Sequence, residues 1–101
     1  MDATVWASSG KRQLGVRVGT ANRSHYFSPQ WKHILVELEG ELRQFNLTPS
    51  FWNHCPEFRD SSEAYIKMWL SQRGLLDWPK GRPPRLVLQP LDGNCFRLSV
   101  Q

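Results

Sequence analysis

The sequence predicts a small α+β domain in two layers, an antiparallel sheet built from hairpins with two helices on one face. Three observations lead to this fold class. The chain has 101 residues, the usual size of one domain with one core. Two pairs of short segments alternate apolar and polar residues, as hairpins do. Two helix start signals lie between those pairs, which gives the order β-β-α-α-β-β.

An additional N-terminal hairpin would precede this order. Residues 4–7 and 14–18 have the composition of its two arms, with residues 8–11 as the turn. Glycines and small polar residues in the same stretch fit a mobile arm almost as well. We therefore divide the chain into residues 1–30, a basic arm or hairpin plus linker, and residues 31–101, the α+β domain.

Two hairpins are expected within residues 31–101. Residues 33–39 form a strand whose apolar side chains fall on one face, and residues 42–47 return beside it. Residues 85–89 and 95–100 form the second pair, separated by a turn that contains Asp92-Gly93.

The two predicted helices lie between the hairpins. The first starts at Thr48-Pro49, an N-cap followed by proline at the first helical position, and ends before Pro56. The second covers about residues 62–73, with Asp60 opening a capping box. Three of its side chains are expected to face the sheet, namely Tyr65, Met68 and Trp69.

The charge is uneven along the chain. The net charge is +4, from 13 basic and 9 acidic residues. Residues 1–33 hold five basic residues and one acidic residue, whereas basic and acidic residues balance in the remainder. This asymmetry indicates an anionic partner, of which nucleic acid is the commonest, although a small net charge also serves solubility alone.

Composition favours a cytoplasmic protein. No apolar run approaches the roughly 18 residues of a membrane span, and the N-terminus lacks a basic leader or apolar signal core. Cys55 and Cys95 are expected to remain thiols, because no export signal places them in an oxidising compartment. No cofactor or small-molecule substrate is indicated.

No catalytic or metal-binding motif is recognisable. His54-Cys55 has a base next to a nucleophile, but neighbours on a helix point about 100° apart and do not face each other. The histidines and cysteines are too scattered for a zinc site. Glu37, Glu39 and Glu41 share a strand face, which is typical of a solvated edge. We therefore expect a protein that is not an enzyme.

Two segments are typical of nucleic-acid binding. The first, residues 23–32, interleaves cations with aromatic rings, as proteins that bind single strands do. Anchoring of this linker to the core would explain the same rings. The second is the extended basic connector 80–85. The expected nucleic-acid contacts are Arg12, Arg17, Arg23, Tyr26, Phe27, Trp31, Lys32, Lys80, Arg82 and Arg85.

Gly81-Arg82-Pro83 within the connector resembles the core of the AT-hook, a peptide that binds the minor groove of DNA. The resemblance covers four residues if Lys80 is included, and the flanking basic residues of that motif are missing. It implies insertion of Arg82 into a narrow A·T-rich groove. A proline-stiffened connector between a helix and a strand accounts for the same residues.

Two functions follow from the sequence. One is a nucleic-acid-binding module that uses the residues named above, with DNA and RNA undistinguished. The other is a protein-interaction or regulatory module that uses an edge strand or exposed tryptophans. The tryptophans available for the second function are Trp6, Trp52, Trp69 and Trp78.

Overall fold

The computed structural model describes residues 1–101 and shows one sheet of seven strands that curls into a nearly closed barrel. The strands are β1 (Asp2–Ala7), β2 (Leu14–Arg17), β3 (His33–Leu38), β4 (Glu41–Asn46), β5 (Glu57–Arg59), β6 (Arg85–Pro90) and β7 (Cys95–Val100). The helices are α1 (Thr20–Tyr26), α2 (Pro49–Asn53) and α3 (Tyr65–Gln72). Across the sheet the order is β4-β3-β7-β6-β1-β2-β5.

The predicted two-layer arrangement is wrong. The sheet is not covered by two helices on one face, because it curls until its own inner side encloses the core. It is not antiparallel throughout either, since β3 and β7 run parallel. Both predicted hairpins are present, as β3–β4 and β6–β7. Alternation of apolar and polar residues predicts such hairpins. The curvature of the sheet depends in addition on three further strands, β1, β2 and β5.

Residues 1–30 contribute directly to this sheet. β1 lies between β6 and β2, and β2 in turn pairs with β5. Ala3, Val5, Leu14 and Val16 point into the barrel and are buried. The first two strands therefore connect the C-terminal hairpin to β5.

Opposite edges of the sheet meet where the barrel closes. No strand pairing joins β4 to β5. Inside the barrel, the rings of Phe45 on β4 and Phe58 on β5 nevertheless pack with their centroids 5.4 Å apart. The core is continuous across this seam, while the backbone groups of the two edges remain unpaired with each other.

Helix α3 starts later than predicted. Ala64 precedes it in the left-handed conformation, and the Asp60 carboxylate accepts hydrogen bonds from the N–H groups of Ile66 and Lys67 at 2.8 and 3.0 Å. Asp60 thus accepts hydrogen bonds from free backbone N–H groups in the first turn of α3, although it lies outside the helix. The expected capping box is absent. Trp69 is buried as predicted, but Met68 is 53% exposed.

The helices are all short. α3 is the longest at eight residues, and none of the three is long and apolar enough to span a membrane.

Candidate phosphate-binding site

Three neighbouring strands bring two of the predicted arginines close together. Thr4 on β1 is the register partner of Arg17 on β2 and also of Arg85 on β6. The residue beside each of them along its own strand is buried, so alternation directs these three side chains outward. Strands lie about 4.8 Å apart, which places the two arginine Cα atoms about 10 Å from each other.

A groove of about 340 Å³ lies over this row of side chains. Thr4, Arg17, Arg85 and Asp2 are among the residues that line it. Thr4 and Arg85 also line a neighbouring groove, which Arg82 borders. Arg17, Arg82 and Arg85 therefore surround Thr4, and we refer to these three residues as the arginine cluster.

The arginine cluster has no carboxylate partner within salt-bridge distance. The four ion pairs of the structure use other arginines, namely Arg43, Arg59, Arg73 and Arg97. Asp2 is the one acidic residue that lines either groove. All three guanidinium-bearing residues are exposed. Because a guanidinium group presents a planar fork of N–H donors, the cluster is suited to phosphate oxygens.

The connector that carries Arg82 is fixed at both ends. The Arg82 N–H donates to the Pro79 carbonyl at 2.9 Å and closes a turn, in which Gly81 has φ +79°. Further on, the Val5 N–H donates to the Pro84 carbonyl at 3.0 Å, which ties the connector to β1. The segment that resembles the AT-hook therefore begins as a β-turn instead of an extended strand.

Four other predicted cations lie elsewhere. Arg23 is half-buried, and its Nη1 donates to the Phe51 carbonyl at 2.7 Å, which fixes α1 to α2. Arg12 is exposed and borders a separate groove beside Asp60 and Lys67. Lys32 and Lys80 are exposed and line none of the grooves of the arginine cluster.

The predicted aromatic residues have three different environments. Phe27 is buried and stacks on Phe96 with ring centroids 4.9 Å apart. Trp31 is half-buried and contacts both of those rings edge-on. Tyr26 is 37% exposed and lies at the end of α1 against His25. None of these rings lines the grooves of the arginine cluster, so the structure does not combine them with it.

The glutamates of the β3–β4 hairpin are engaged in ion pairs. Glu37 pairs with Arg97, Glu39 with Arg73 and Glu41 with Arg43. No group of three or more His, Cys, Asp or Glu side chains is positioned to hold a metal ion. Cys55 and Cys95 are both free thiols and half-buried.

Thr4, at the centre of the cluster, was not expected from the sequence. Its position depends on the pairing of β1 with β6, whose register partners lie about eighty residues apart in the chain. A single threonine in a short apolar segment does not indicate that two arginines from distant parts of the chain will lie beside it. The basic residues themselves are visible in the sequence, but not which of them become neighbours.

Comparison with known proteins adds no further information on this site. No protein-family model matches the chain, and neither a curated protein nor a solved structure matches it at a significant level.

Proposed function

We propose that this protein is a non-enzymatic module that binds nucleic acid through phosphate contacts at the arginine cluster. One observation carries the proposal: Arg17 and Arg85 flank Thr4 on adjacent strands, Arg82 lies beside them, and none of the three forms a salt bridge with a carboxylate. Three guanidinium groups against the single carboxylate of Asp2 leave the two grooves positively charged, and a bound polyanion relieves the repulsion among the cations.

The proposal specifies contact with the nucleic-acid backbone. Successive phosphates of one strand lie several ångströms apart, so an extended strand can present more than one phosphate to guanidinium groups about 10 Å apart. No aromatic ring lines the two grooves, which argues against a base-stacking platform at this place. We therefore expect weak dependence on base sequence.

The location proposed for this function is the cytoplasm. The two half-buried cysteines are thiols in the structure, which is compatible with a reducing compartment.

A double substitution tests the proposal. Arg17→Gln/Arg85→Gln should weaken binding of fluorescently labelled single- and double-stranded oligonucleotides, measured by anisotropy at low salt, by on the order of tenfold or more. The matched control is Arg12→Gln, which removes an exposed arginine outside the cluster. Unchanged affinity in the double variant, or an equal loss per charge in the control, would contradict the proposed site.

A protein-interaction module is the second candidate. The observation that favours it is the exposure of Leu42 and Met68, each 53% exposed. A groove lined by Met68 and Tyr65 runs beside α3. The tryptophans support it less, because Trp69 is buried and Trp6, Trp52 and Trp78 are half-buried. Binding through this apolar surface would show little salt dependence, in contrast to binding through the arginine cluster.

A further inference from the structure

The seam between β4 and β5 holds a polar cleft of about 350 Å³, at the lower end of the size range of small-molecule sites. Gln44 and Asn46 line it from β4, and Glu57 and Arg59 line it from β5. Elsewhere in the sheet, backbone hydrogen bonds join neighbouring strands directly and leave no cleft between them. Here the side chains of two unpaired edges face each other instead.

Glu57 is the unusual member of this cleft. Its side chain is only 2% exposed, and its Oε1 accepts one long hydrogen bond, 3.3 Å from Arg59 Nη2. Its Oε2 is buried and has no hydrogen-bond partner. A buried carboxylate oxygen without a donor is costly, so this position calls for a group that donates to it.

Other charges in the cleft are already engaged. Both carboxylate oxygens of Asp60 accept N–H groups of α3. The Arg59 guanidinium lies over the Trp6 ring at 4.4 Å, in addition to its contact with Glu57. Two carboxylates against one guanidinium leave the cleft with a net negative charge. Only one carboxylate oxygen lacks a donor, which is too few for a metal ion but sufficient for one N–H group.

We propose that the seam cleft binds a small molecule through a primary ammonium group, which pairs with Glu57. The ammonium donates one N–H to Oε2, while Arg59 keeps Oε1. The remaining ammonium N–H groups and the polar remainder of the ligand bond to the amides of Gln44 and Asn46 and to the hydroxyls of Thr48 and Ser50, which also line the cleft.

Entry of the ligand requires Arg59 to move. Oε2 is shielded from solvent, whereas the Arg59 side chain is 39% exposed and is the only donor to Glu57. Rotation of this guanidinium away from Oε1, while it stays over the Trp6 ring, opens the carboxylate to the ligand, and the contact with Oε1 forms again once the ammonium is bound. The site thus differs from the arginine cluster in charge and ligand, although Arg17 and Glu57 are register partners on β2 and β5.

Backbone NMR titration tests the proposal with four small probes. Ethanolamine and 1,4-diaminobutane carry primary ammonium groups, tetramethylammonium carries charge without an N–H donor, and ethylene glycol carries hydroxyls without charge. We expect saturable shifts at the seam residues with the first two probes only. No shifts at the seam, or shifts of equal affinity with tetramethylammonium, would overturn the proposal.

Variants then identify the group that binds. Glu57→Gln keeps the shape of the side chain and removes its charge, so the ammonium probes should bind about ten- to a hundredfold more weakly. Glu41→Gln is the control, because this exposed glutamate does not line the cleft. Unchanged affinity in Glu57→Gln would contradict the assignment.

A second variant covers the case in which Glu57→Gln does not fold. Asn46→Trp places a large ring at an exposed edge position and fills the cleft, so it should abolish the shifts. Retained binding in this variant would also contradict the proposed site. Asn46→Trp lies away from the arginine cluster, so oligonucleotide binding by this variant reports separately on the function proposed above.

Discussion

Phe27 and Tyr26 are adjacent in the chain but have opposite environments. Tyr26 ends α1 and is 37% exposed, whereas Phe27 is 5% exposed and packs among Phe51 and Phe96. The sequence marks both as aromatic residues beside cations. The direction in which the chain leaves α1 decides which of the two rings enters the barrel. This direction cannot be predicted from the residue types alone.

A matched pair of alanine substitutions checks this difference. Phe27→Ala should lower the free energy of unfolding by about 3 to 5 kcal/mol, because it empties a buried aromatic site. Tyr26→Ala should change it by less than about 0.5 kcal/mol, as is usual at an exposed position. Urea denaturation followed by tryptophan fluorescence measures both. Equal effects of the two substitutions would show that the burial assigned to Phe27 is wrong.

For single arginines too, the sequence does not predict the environment of the side chain. Arg17, Arg23 and Arg82 look alike in the sequence, as basic residues near small or aromatic neighbours. In the structure Arg23 donates to a backbone carbonyl, while Arg17 and Arg82 lie near Thr4 without ion-pair partners. Charge composition predicts an anion-binding surface, and tertiary contacts decide which charges remain free.

At the level of elements, β5 is the strand that sequence patterns did not predict. It has three residues, too few to establish an alternation, and it follows directly on the α2 region. The position of β5 depends on Gly15 of β2, whose register partner on β5 is Arg59. A Cβ atom at Gly15 would lie 2.4 Å from the Phe58 carbonyl oxygen, so only glycine permits this approach.

Gly15→Ala should therefore destabilise the protein by about 1 to 3 kcal/mol, because two strands must separate to admit one methyl group. The comparison is Gly10→Ala, where a Cβ meets nothing within 4 Å and the cost comes from φ +70° alone, about 1 kcal/mol. Urea denaturation gives both values. A smaller loss for Gly15→Ala than for Gly10→Ala would contradict the close β2–β5 packing.

Helix α3 shows what a local pattern does predict. Its existence, its stop near Gly74 and the burial of Trp69 follow from spacing in the sequence. Its start does not, because Asp60 bonds to N–H groups six and seven residues later across an irregular turn. A capping box assumes a regular first turn, and Ala64 in the left-handed conformation breaks that assumption.

Asp60 gives this cap a defined pH dependence. Burial raises the pKa of its carboxyl above the usual 3.8, although hydrogen bonds from Ile66 and Lys67 act in the opposite direction. The folded protein therefore holds the proton more tightly than the unfolded chain does. Between the two pKa values the folded state binds more protons, so the contribution of Asp60 to stability falls as the pH rises through this window.

Urea denaturation of the wild type and of Asp60→Asn from about pH 3 to pH 6 tests this sign. The unfolding free energy of the wild type minus that of the variant should be largest below pH 3.8. It should decline as the pH rises through the folded pKa and then level off, because the asparagine does not titrate. A difference that increases with pH would mean that the hydrogen bonds outweigh burial.

At the level of the whole molecule, long-range pairing determines the fold class. The β3–β4 and β6–β7 hairpins are local, and alternation predicts them. The β1–β6 and β3–β7 pairings join residues about sixty to eighty positions apart, and these pairings combine the hairpins into one sheet of seven strands. A prediction from local patterns therefore finds hairpins and helices but assigns them to two flat layers.

The β1–β2 and β1–β6 pairings produce the proposed phosphate site. Because β1 inserts between β6 and β2, cations from the N-terminal third and from the connector before β6 meet around Thr4. Charge asymmetry along the sequence indicated the N-terminal third as one binding segment, and the basic connector 80–85 was predicted as a separate one. In the structure, Arg82 and Arg85 from the balanced part of the chain complete the cluster.

The salt dependence of oligonucleotide binding tests this account most directly. Three phosphate contacts predict a slope of log affinity against log salt of about −2.1 to −2.7, a loss of about twenty- to fortyfold between roughly 50 and 200 mM salt. Arg17→Gln/Arg82→Gln/Arg85→Gln should bring the slope close to zero, whereas Arg12→Gln should leave it nearly unchanged, with folding of each variant verified by circular dichroism. A slope that persists in the triple variant, or no binding by the wild type at low salt, would contradict the arginine cluster as a nucleic-acid-binding site.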